Sequence, residues 1–157
     1  MPEANTHASA VLVGDRGLIV KGPSGSGKTA LCLGLLRHCA AVGRFARLVG
    51  DDRLFLHTAG GRLVARAAPP IAGLAEVRGY RPSPVAFQPL MVVDAMVLLV
   101  AEQAAPRFGE AETERLLDHD VPCLRLPERD VAGGVSAVLA LFGLPPFSAT
   151  MHDISAS

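Results

Sequence analysis

The chain has 157 residues, of which 50% are hydrophobic and 19% are charged, and its formal net charge is zero. This length is typical of one domain that buries its own core, and the composition excludes a disordered chain. A neutral charge argues against nucleic-acid binding through bulk electrostatics. The longest apolar run, Ala95–Ala101, is too short for a membrane helix, so we expect neither a nucleic-acid nor a membrane partner.

The cysteines and the first residues both indicate a cytoplasmic protein. Three cysteines make an odd number, and their spacing is not typical of a zinc site or a disulfide framework. We expect Cys32 and Cys39 to pack as small hydrophobic side chains. The segment Met1–Thr6 is short and polar and lacks the basic region of a secretory signal.

The first part of the chain predicts a hairpin followed by a helix. Val11–Val13 and Leu18–Val20 are apolar runs separated by the turn residues Gly14–Gly17. A glycine-rich segment follows. Apolar residues at helical spacing then predict a helix from about Thr29 to Ala41, and Gly43 is suited to end it.

The rest of the chain predicts short strands and a final helix at Val131–Leu141. For Glu110–Asp118 the pattern predicts either a short helix or a structured loop. The predicted strands are Arg47–Gly50, Leu54–Leu56, Leu63–Ala65, Val92–Val100 and Leu124–Leu126. Short strands on both sides of one clear helix favour an α/β fold with a mixed sheet, whose strand order the sequence leaves open.

The glycine-rich segment fits the phosphate-loop pattern GxxxxGK[ST] at every position. It follows an apolar strand and opens a helix, so its amide groups and the helix N-terminus would face phosphate oxygens. Lys28 would reach the β- and γ-phosphates, and the Thr29 hydroxyl would bind Mg²⁺. The pattern therefore predicts binding of a nucleotide or polyphosphate together with Mg²⁺. The predicted nucleotide-binding residues are Gly22, Pro23, Ser24, Gly25, Ser26, Gly27, Lys28 and Thr29.

Phosphate-loop enzymes usually place a metal-linked carboxylate at the end of a second apolar strand, and two places in the chain offer one. Asp51 and Asp52 follow the run that ends at Gly50, and Glu102 follows the later apolar run. A carboxylate beside a phosphoryl group is also suited to act as general base for an attacking hydroxyl. Spacing alone leaves a third interpretation open, in which the pair is a solvated turn with Asp52 bound to Arg53.

Three segments in order, GPSGSGKT, LVGDDRLFL and IAGLAEVRG, resemble the catalytic domain of the HPr kinase/phosphorylase family. The Thr6-His7 pair near the start and LPERD at Leu126–Asp130 add to the resemblance. This bacterial family phosphorylates a serine of the phosphocarrier protein HPr and reverses the reaction with inorganic phosphate. The resemblance implies a phosphate-loop domain of the HPr kinase/phosphoenolpyruvate carboxykinase-like type. It also implies an HPr-like partner of the phosphotransferase system and a homo-oligomer, a hexamer by family resemblance.

The same resemblance implies one catalytic domain over residues 1–157, with a core of about 6–145 and without the N-terminal domain of longer members. It assigns the role of general base to Asp51, which takes the proton of the substrate serine. His7 matches a histidine beside that aspartate. Asp52 matches a second acidic residue near the metal and the reacting phosphate.

Further roles follow from the matched segments. Glu76 and Thr29 match the Mg²⁺ ligands of the family. Arg129, or less directly Arg125, matches a loop arginine that contacts the substrate complex. Arg78 lies in the signature segment and would position either substrate.

Two departures from the family pattern keep other functions open. Tyr80-Arg81-Pro82-Ser83 replaces the signature's continuation after Gly79, and Glu128 and Asp130 add negative charge beside Arg129. One alternative is a small-molecule kinase or hydrolase that uses Glu102 as its metal-linked carboxylate. The other is a non-catalytic sensor that binds a nucleotide and a partner without transferring phosphate.

Overall fold

The structure is a computed structural model that describes residues 3–69, 72–107, 109 and 112–148. Sequence predictions that fall on Pro70, Ile71, Glu110, Ala111 or the chain beyond Ser148 lie outside the described residues. The elements are β1 Glu3–Thr6, β2 Ala8–Val13, β3 Arg16–Lys21, α1 Lys28–Ala41, β4 Ala46–Gly50, β5 Leu54–Ala59, β6 Arg62–Ala67, β7 Leu74–Ala75, β8 Ser83–Pro84, β9 Leu90–Val92, β10 Ala95–Val100, β11 Glu112–Leu116, β12 His119–Pro127 and α2 Val131–Leu141.

A six-stranded mixed sheet forms the centre of the fold, in the order β11-β12-β10-β3-β2-β4. β10 runs parallel to both β3 and β12, whereas β2 pairs antiparallel with β3 and with β4. The predicted hairpin of β2 and β3 is confirmed, with Val13 opposite Arg16 at its turn. The predicted mixed sheet is confirmed as well.

A second sheet and two helices cover the two faces of the central sheet. The second sheet has the order β1-β5-β6-β9 and is antiparallel throughout, and β7 and β8 form a separate small pair. One apolar cluster joins the helices to the central sheet, and the other joins the two sheets. The fold therefore has three layers: helices, central sheet and second sheet.

Both predicted helices are confirmed, α1 within one residue of its predicted start and α2 at both ends. Asp130 caps α2, because its side chain accepts a hydrogen bond of 3.0 Å from the Gly133 amide. Glycine lets α1 and α2 approach closely: a Cβ on Gly134 would lie 2.9 Å from the Leu31 side chain. This contact seats α2 against the helix that follows the phosphate loop.

The prediction of one strand over Val92–Val100 is wrong. The chain forms β9 in the second sheet and then β10 in the central sheet. The Val93 amide still donates to the Leu63 carbonyl at 2.9 Å, whereas the Asp94 amide donates to the Gly17 carbonyl at 2.8 Å. Consecutive residues thus bond to different sheets, a change that an apolar run does not reveal.

The prediction of a helix or loop over Glu110–Asp118 is also wrong where the structure describes it. Glu112–Leu116 is the edge strand β11, antiparallel to β12. Charged side chains on an edge strand discourage pairing with another chain. Here two of them form ion pairs across to β12: Arg115 with Asp120 at 2.8 Å, and Glu112 with Arg125 at 3.3 Å. These charges hid the strand from a search for apolar runs.

Candidate active site

Strand directions bring the predicted site residues together at one edge of the central sheet. The phosphate loop follows β3, and β10 ends at the same edge because it is parallel to β3. The antiparallel β2 begins at this edge, and β4 ends there with Gly50 opposite Ala10. Residues just before β2 and just after β4 therefore lie beside the phosphate loop.

The backbone of the phosphate loop is shaped by its glycines. Gly25 and Gly27 have φ angles of 79° and 100°, a left-handed region that other residues rarely adopt. A Cβ on Gly22 would lie 2.6 Å from the Ser26 hydroxyl oxygen and 3.0 Å from Cβ of Leu99, so a larger residue there would displace its neighbours. The Ser26 hydroxyl is fully buried and has no hydrogen-bond partner within the described residues. A phosphate oxygen would supply the acceptor that this group lacks, which fits the loop to a nucleotide.

Lys28 begins α1 and lies along the inner side of the loop, with 6% of its surface exposed. Its Nζ donates to the carbonyl oxygens of Gly22 at 3.0 Å and Pro23 at 3.2 Å. The same Nζ lies 3.9 Å from Oδ1 of Asp52. The lysine thus places a positive charge between the loop and the second aspartate.

Asp51 is buried, with 6% exposed, and three donors hold its carboxylate. Oδ1 accepts from the Thr29 hydroxyl at 2.6 Å and from the Ser9 hydroxyl at 2.8 Å. Oδ2 accepts from the Glu76 amide at 2.9 Å. A carboxylate that binds the hydroxyl of the phosphate-loop threonine stands where phosphate-loop enzymes hold their metal.

Asp52 differs from Asp51 in its exposure and in its partners. Its φ angle is 66°, and its side chain is 54% exposed. Nε2 of His7 lies 3.0 Å from its Oδ1. The resemblance implies that His7 lies beside Asp51. In the structure the His7 ring contacts the carboxylate of the next residue, Asp52, while the Asp51 carboxylate is buried against Ser9, Thr29 and the Glu76 amide.

The loop arginine of the prediction lies on the phosphate loop. The Arg129 amide donates to the Ser26 carbonyl at 2.9 Å, and its guanidinium donates to the Gly25 carbonyl at 3.2 Å. The guanidinium also lies 3.6 Å from the Glu128 carboxylate. The less direct candidate, Arg125, lies on β12 and pairs with an edge-strand glutamate. Of the two candidate arginines, Arg129 is therefore the one that contacts the phosphate loop.

The remaining predicted residues lie nearby or apart. Glu76 reaches the site through its backbone amide on Asp51, and its side chain is exposed, as is that of Arg78. Glu102 is exposed and begins a short 3-10 helix after β10. Since the hydroxyl of Thr29 bonds to Asp51, the carboxylate that the structure brings to the phosphate loop is that of Asp51 and not that of Glu102.

Two oxygens beside the phosphate loop are compatible with the way proteins commonly hold Mg²⁺. Within the described ranges, no group of three or more His, Cys, Asp and Glu side chains could hold a metal. Mg²⁺ commonly takes few protein oxygens and completes its shell with water and substrate phosphates. Thr29 and Asp51 supply two such oxygens 2.6 Å apart at the mouth of the loop.

Cys32 lies one turn into α1, close enough to sense the charge of Asp51. Burial raises the pKa of the Cys32 thiol, and the negative charge of Asp51 raises this pKa further. Cys32 and Cys39 are buried, as predicted, and Cys123 is buried as well; all three thiols are free. The thiols therefore stay protonated and act as packing groups.

Sequence reasoning missed Ser9, which touches both aspartates. Its hydroxyl bonds to the Asp51 carboxylate and accepts a hydrogen bond of 3.1 Å from the Asp52 amide. A signal was present: in β2, read ASAVLV, serine is the one polar residue in an apolar strand. A lone buried hydroxyl two residues after His7 indicates a polar partner at the same edge.

Comparison with known proteins gives two findings. Over 78 residues, half of this chain, the sequence is 35% identical to the HPr kinase/phosphorylase of Mycoplasma mycoides, and the match spans 23% of that protein's length. The structure matches that of the Hpr(Ser) kinase/phosphatase from Coxiella burnetii with a TM-score of 0.74, at 22% identity and over 88% of each chain. This chain has the fold of an HPr kinase/phosphatase.

The similarity that the motifs predict is thus confirmed in sequence and in fold. The α/β fold with a mixed sheet is that of the HPr kinase/phosphatase structure. No family model matches the chain. Among the described residues, no helix is both long and apolar enough to cross a membrane.

Proposed function

We propose that this chain is an ATP-dependent serine kinase that acts on an HPr-like phosphocarrier protein of the phosphotransferase system. One observation carries the proposal: a pair of adjacent aspartates meets the phosphate loop, one on its threonine and the other beside its lysine and a histidine. The similarity to two HPr kinases supports the choice of substrate. The reverse reaction with inorganic phosphate would use the same groups.

The phosphate loop would hold ATP by its amides and by Lys28, whose charge lies at the inner side of the loop. Thr29 and Asp51 would hold Mg²⁺, and the exposed carboxylate of Glu76 would add a ligand from the adjoining segment. When bound, the metal neutralises charge on the phosphates. Arg129, anchored on the loop, would contact the substrate complex beside it.

Asp52 is the better candidate for the general base. A base must reach the hydroxyl of a serine on another protein, and the Asp52 carboxylate is half exposed whereas that of Asp51 is buried. Three donors already occupy the oxygens of Asp51. We therefore assign the role of base to Asp52 in this proposal, in place of Asp51, to which the family resemblance gives it.

In this account the serine oxygen forms a bond to the γ-phosphorus while the bond to the ADP oxygen breaks. The serine proton passes to the Asp52 carboxylate, and His7 at 3.0 Å orients that carboxylate. Lys28 stabilises negative charge on the transferred group. Catalysis is then mostly positioning, since phosphoryl transfer asks little covalent chemistry of the protein.

The proposal also includes a cellular location, an assembly state and the classes of partner that the protein would not bind. The protein would act in the cytoplasm, where a phosphotransferase carrier is found. It would assemble as a homo-oligomer, as the family resemblance implies. Neither nucleic acid nor a membrane would be a partner, consistent with its zero net charge.

The test is transfer of labelled phosphate from ATP to a purified HPr-like carrier, with the carrier's serine replaced by alanine as control. We expect label on the wild-type carrier only, and its release as pyrophosphate when inorganic phosphate is added without ATP. Tight ATP binding without label on the carrier would contradict the kinase proposal and favour the nucleotide sensor. Label on a small molecule would favour the other class of phosphate-loop enzyme.

A further inference from the structure

Ser9 lies between the two aspartates and has a hydrogen bond to each. The residue is fully buried in β2, where all its neighbours in the strand are apolar. Its Oγ is 2.8 Å from Oδ1 of Asp51 and 3.1 Å from the backbone nitrogen of Asp52. Both aspartates, which lie between β4 and β5, therefore depend on one hydroxyl group from β2.

The chemistry of the partners fixes the direction of both bonds. An ionised carboxylate only accepts, so the Ser9 hydroxyl donates its one proton to Asp51. A backbone amide only donates, so the amide of Asp52 uses a lone pair of the same oxygen. The serine oxygen thus acts as donor to one residue and acceptor for the next, a combination that neither alanine nor valine can replace.

The bond to the Asp52 amide holds an uncommon backbone conformation. Asp52 has a φ angle of 66°, which costs energy for a residue with a Cβ and persists only where surrounding contacts hold it. That conformation directs the Asp52 carboxylate to His7 and to Lys28. A contact that fixes the amide therefore fixes the direction of the carboxylate as well.

We infer that Ser9 is a positioning residue for phosphoryl transfer, holding the metal-side carboxylate of Asp51 and the base Asp52 in one arrangement. This inference rests on the proposed function, because it concerns the transfer of phosphate to the carrier. It assigns Ser9 no role in nucleotide binding. Loss of the hydroxyl leaves Asp51 with two donors and leaves the Asp52 amide without its acceptor. The chemical step then suffers, while the phosphate loop keeps all its own contacts.

The experiment compares Ser9→Ala and Ser9→Thr in the full chain, with Val13→Ala as control. Val13 is fully buried at the other end of β2, so its truncation disturbs the same strand without touching the site. For Ser9→Ala we expect kcat for transfer to the carrier to fall about 10- to 100-fold, the scale of a misplaced reacting group. KM for ATP should change less than about twofold, and Ser9→Thr should restore most of kcat because it keeps the hydroxyl.

A second measurement follows amide hydrogen exchange at Asp52, which does not depend on activity. Exchange should be faster by about tenfold or more in Ser9→Ala than in wild type, and unchanged in Val13→Ala. Equal kcat in wild type and Ser9→Ala, or equal exchange at Asp52, would overturn the inference. A parallel loss of kcat in Val13→Ala, or no gain in Ser9→Thr, would reduce Ser9 to a structural role. Wild type that transfers nothing to the carrier overturns the proposed function instead, and the exchange rates still test the hold on Asp52.

Discussion

The two ends of the central sheet carry similar side chains that do different things. At the carboxyl end of β3, two aspartates and a histidine surround the phosphate loop. At the amino end of β3, Asp94 and His119 lie near a cavity of about 280 Å³. The partners of these side chains distinguish the end that is built to bind a ligand from the end that is not.

At the amino end, the polar side chains are used by the fold. The Asp94 carboxylate accepts from the Gly17 amide at 2.8 Å, which fastens β10 to the start of β3. His119 forms a hydrogen bond of 2.9 Å with Thr58 and links the two sheets, and Asp120 pairs with Arg115. Asp94, His119 and Asp120, three polar side chains that line the cavity, thus already have partners.

At the carboxyl end, several polar groups face the place where a ligand would lie. The buried Ser26 hydroxyl has no partner among the described residues, and Lys28 lies against backbone carbonyls of a loop built for phosphate. The carboxylate of Asp52 is half exposed beside His7. The lesson is that the chemistry of converging groups marks the site, whereas the size of a cavity does not.

Of the substitutions considered, Lys28→Ala at the carboxyl end of β3 should have the largest effect, and the effect is on ATP binding. Removing the charge beside the phosphates should abolish measurable ATP binding, a weakening of more than about 100-fold. The measurement is calorimetry with ATP and Mg²⁺ on variants shown to be folded.

The control is Lys21→Ala, because Lys21 is the one other lysine of the chain and ends β3. It should leave ATP affinity within about threefold of wild type, since alternation along β3 directs Lys21 away from the face covered by α1. Undiminished ATP affinity in folded Lys28→Ala would remove the phosphate-loop assignment.

Asp51→Asn should have the next largest effect, through the metal. The side chain would lose a charge that holds the Thr29 hydroxyl, so the Mg²⁺ concentration required for tight ATP binding should rise about 10- to 100-fold. ATP titrations at stepped Mg²⁺ concentrations measure this change. Asp52→Asn is the matched control and should require the same Mg²⁺ concentration as wild type for tight ATP binding. Equal Mg²⁺ requirements in the two variants would contradict the division of roles between the aspartates.

Asp94→Ala should lower stability without harming the site. Removing the charged acceptor of the Gly17 amide should reduce the free energy of unfolding by about 1–3 kcal/mol. Denaturant unfolding measures the loss, and transfer per folded molecule should match wild type. A large loss of transfer in folded Asp94→Ala would mean that the amino end of β3 also takes part in catalysis.

His119→Ala should have the smallest effect. It removes one hydrogen bond to Thr58, worth about 0.5–1.5 kcal/mol of stability. ATP affinity and transfer should stay within about twofold of wild type. Altered ATP affinity in this variant, read by the same calorimetry, would assign a ligand role to the cavity and reverse the comparison.

Much of this fold follows from local patterns. The β2–β3 hairpin, α1 and α2 were predictable because apolar spacing and turn residues act within a few positions. The passage from β9 to β10 was not, because Val93 and Asp94 bond to strands far away in sequence. The edge strand β11 was not either, since its stability comes from pairing with β12.

The candidate site also combines features that local sequence predicts with features that depend on distant contacts. The phosphate loop was predictable from its pattern, and the convergence of the aspartate pair on it follows from family resemblance. The different directions of Asp51 and Asp52 depend on one φ angle and on Ser9, which local spacing does not encode. Two adjacent aspartates thus differ in burial and in partners, a difference that only three-dimensional contacts produce.

The central claim is that Asp52, and not Glu102, accepts the proton of the substrate serine. The most direct measurement is single-turnover transfer of labelled phosphate from bound ATP to the carrier, at saturating Mg²⁺, for wild type, Asp52→Asn and Glu102→Gln. Asp52→Asn should bind ATP within a few-fold of wild type and transfer about 10²–10⁴-fold more slowly, the range for loss of a general base. Glu102→Gln should transfer at the wild-type rate, because Glu102 lies exposed in a short 3-10 helix. An active Asp52→Asn beside an inactive Glu102→Gln would contradict the account.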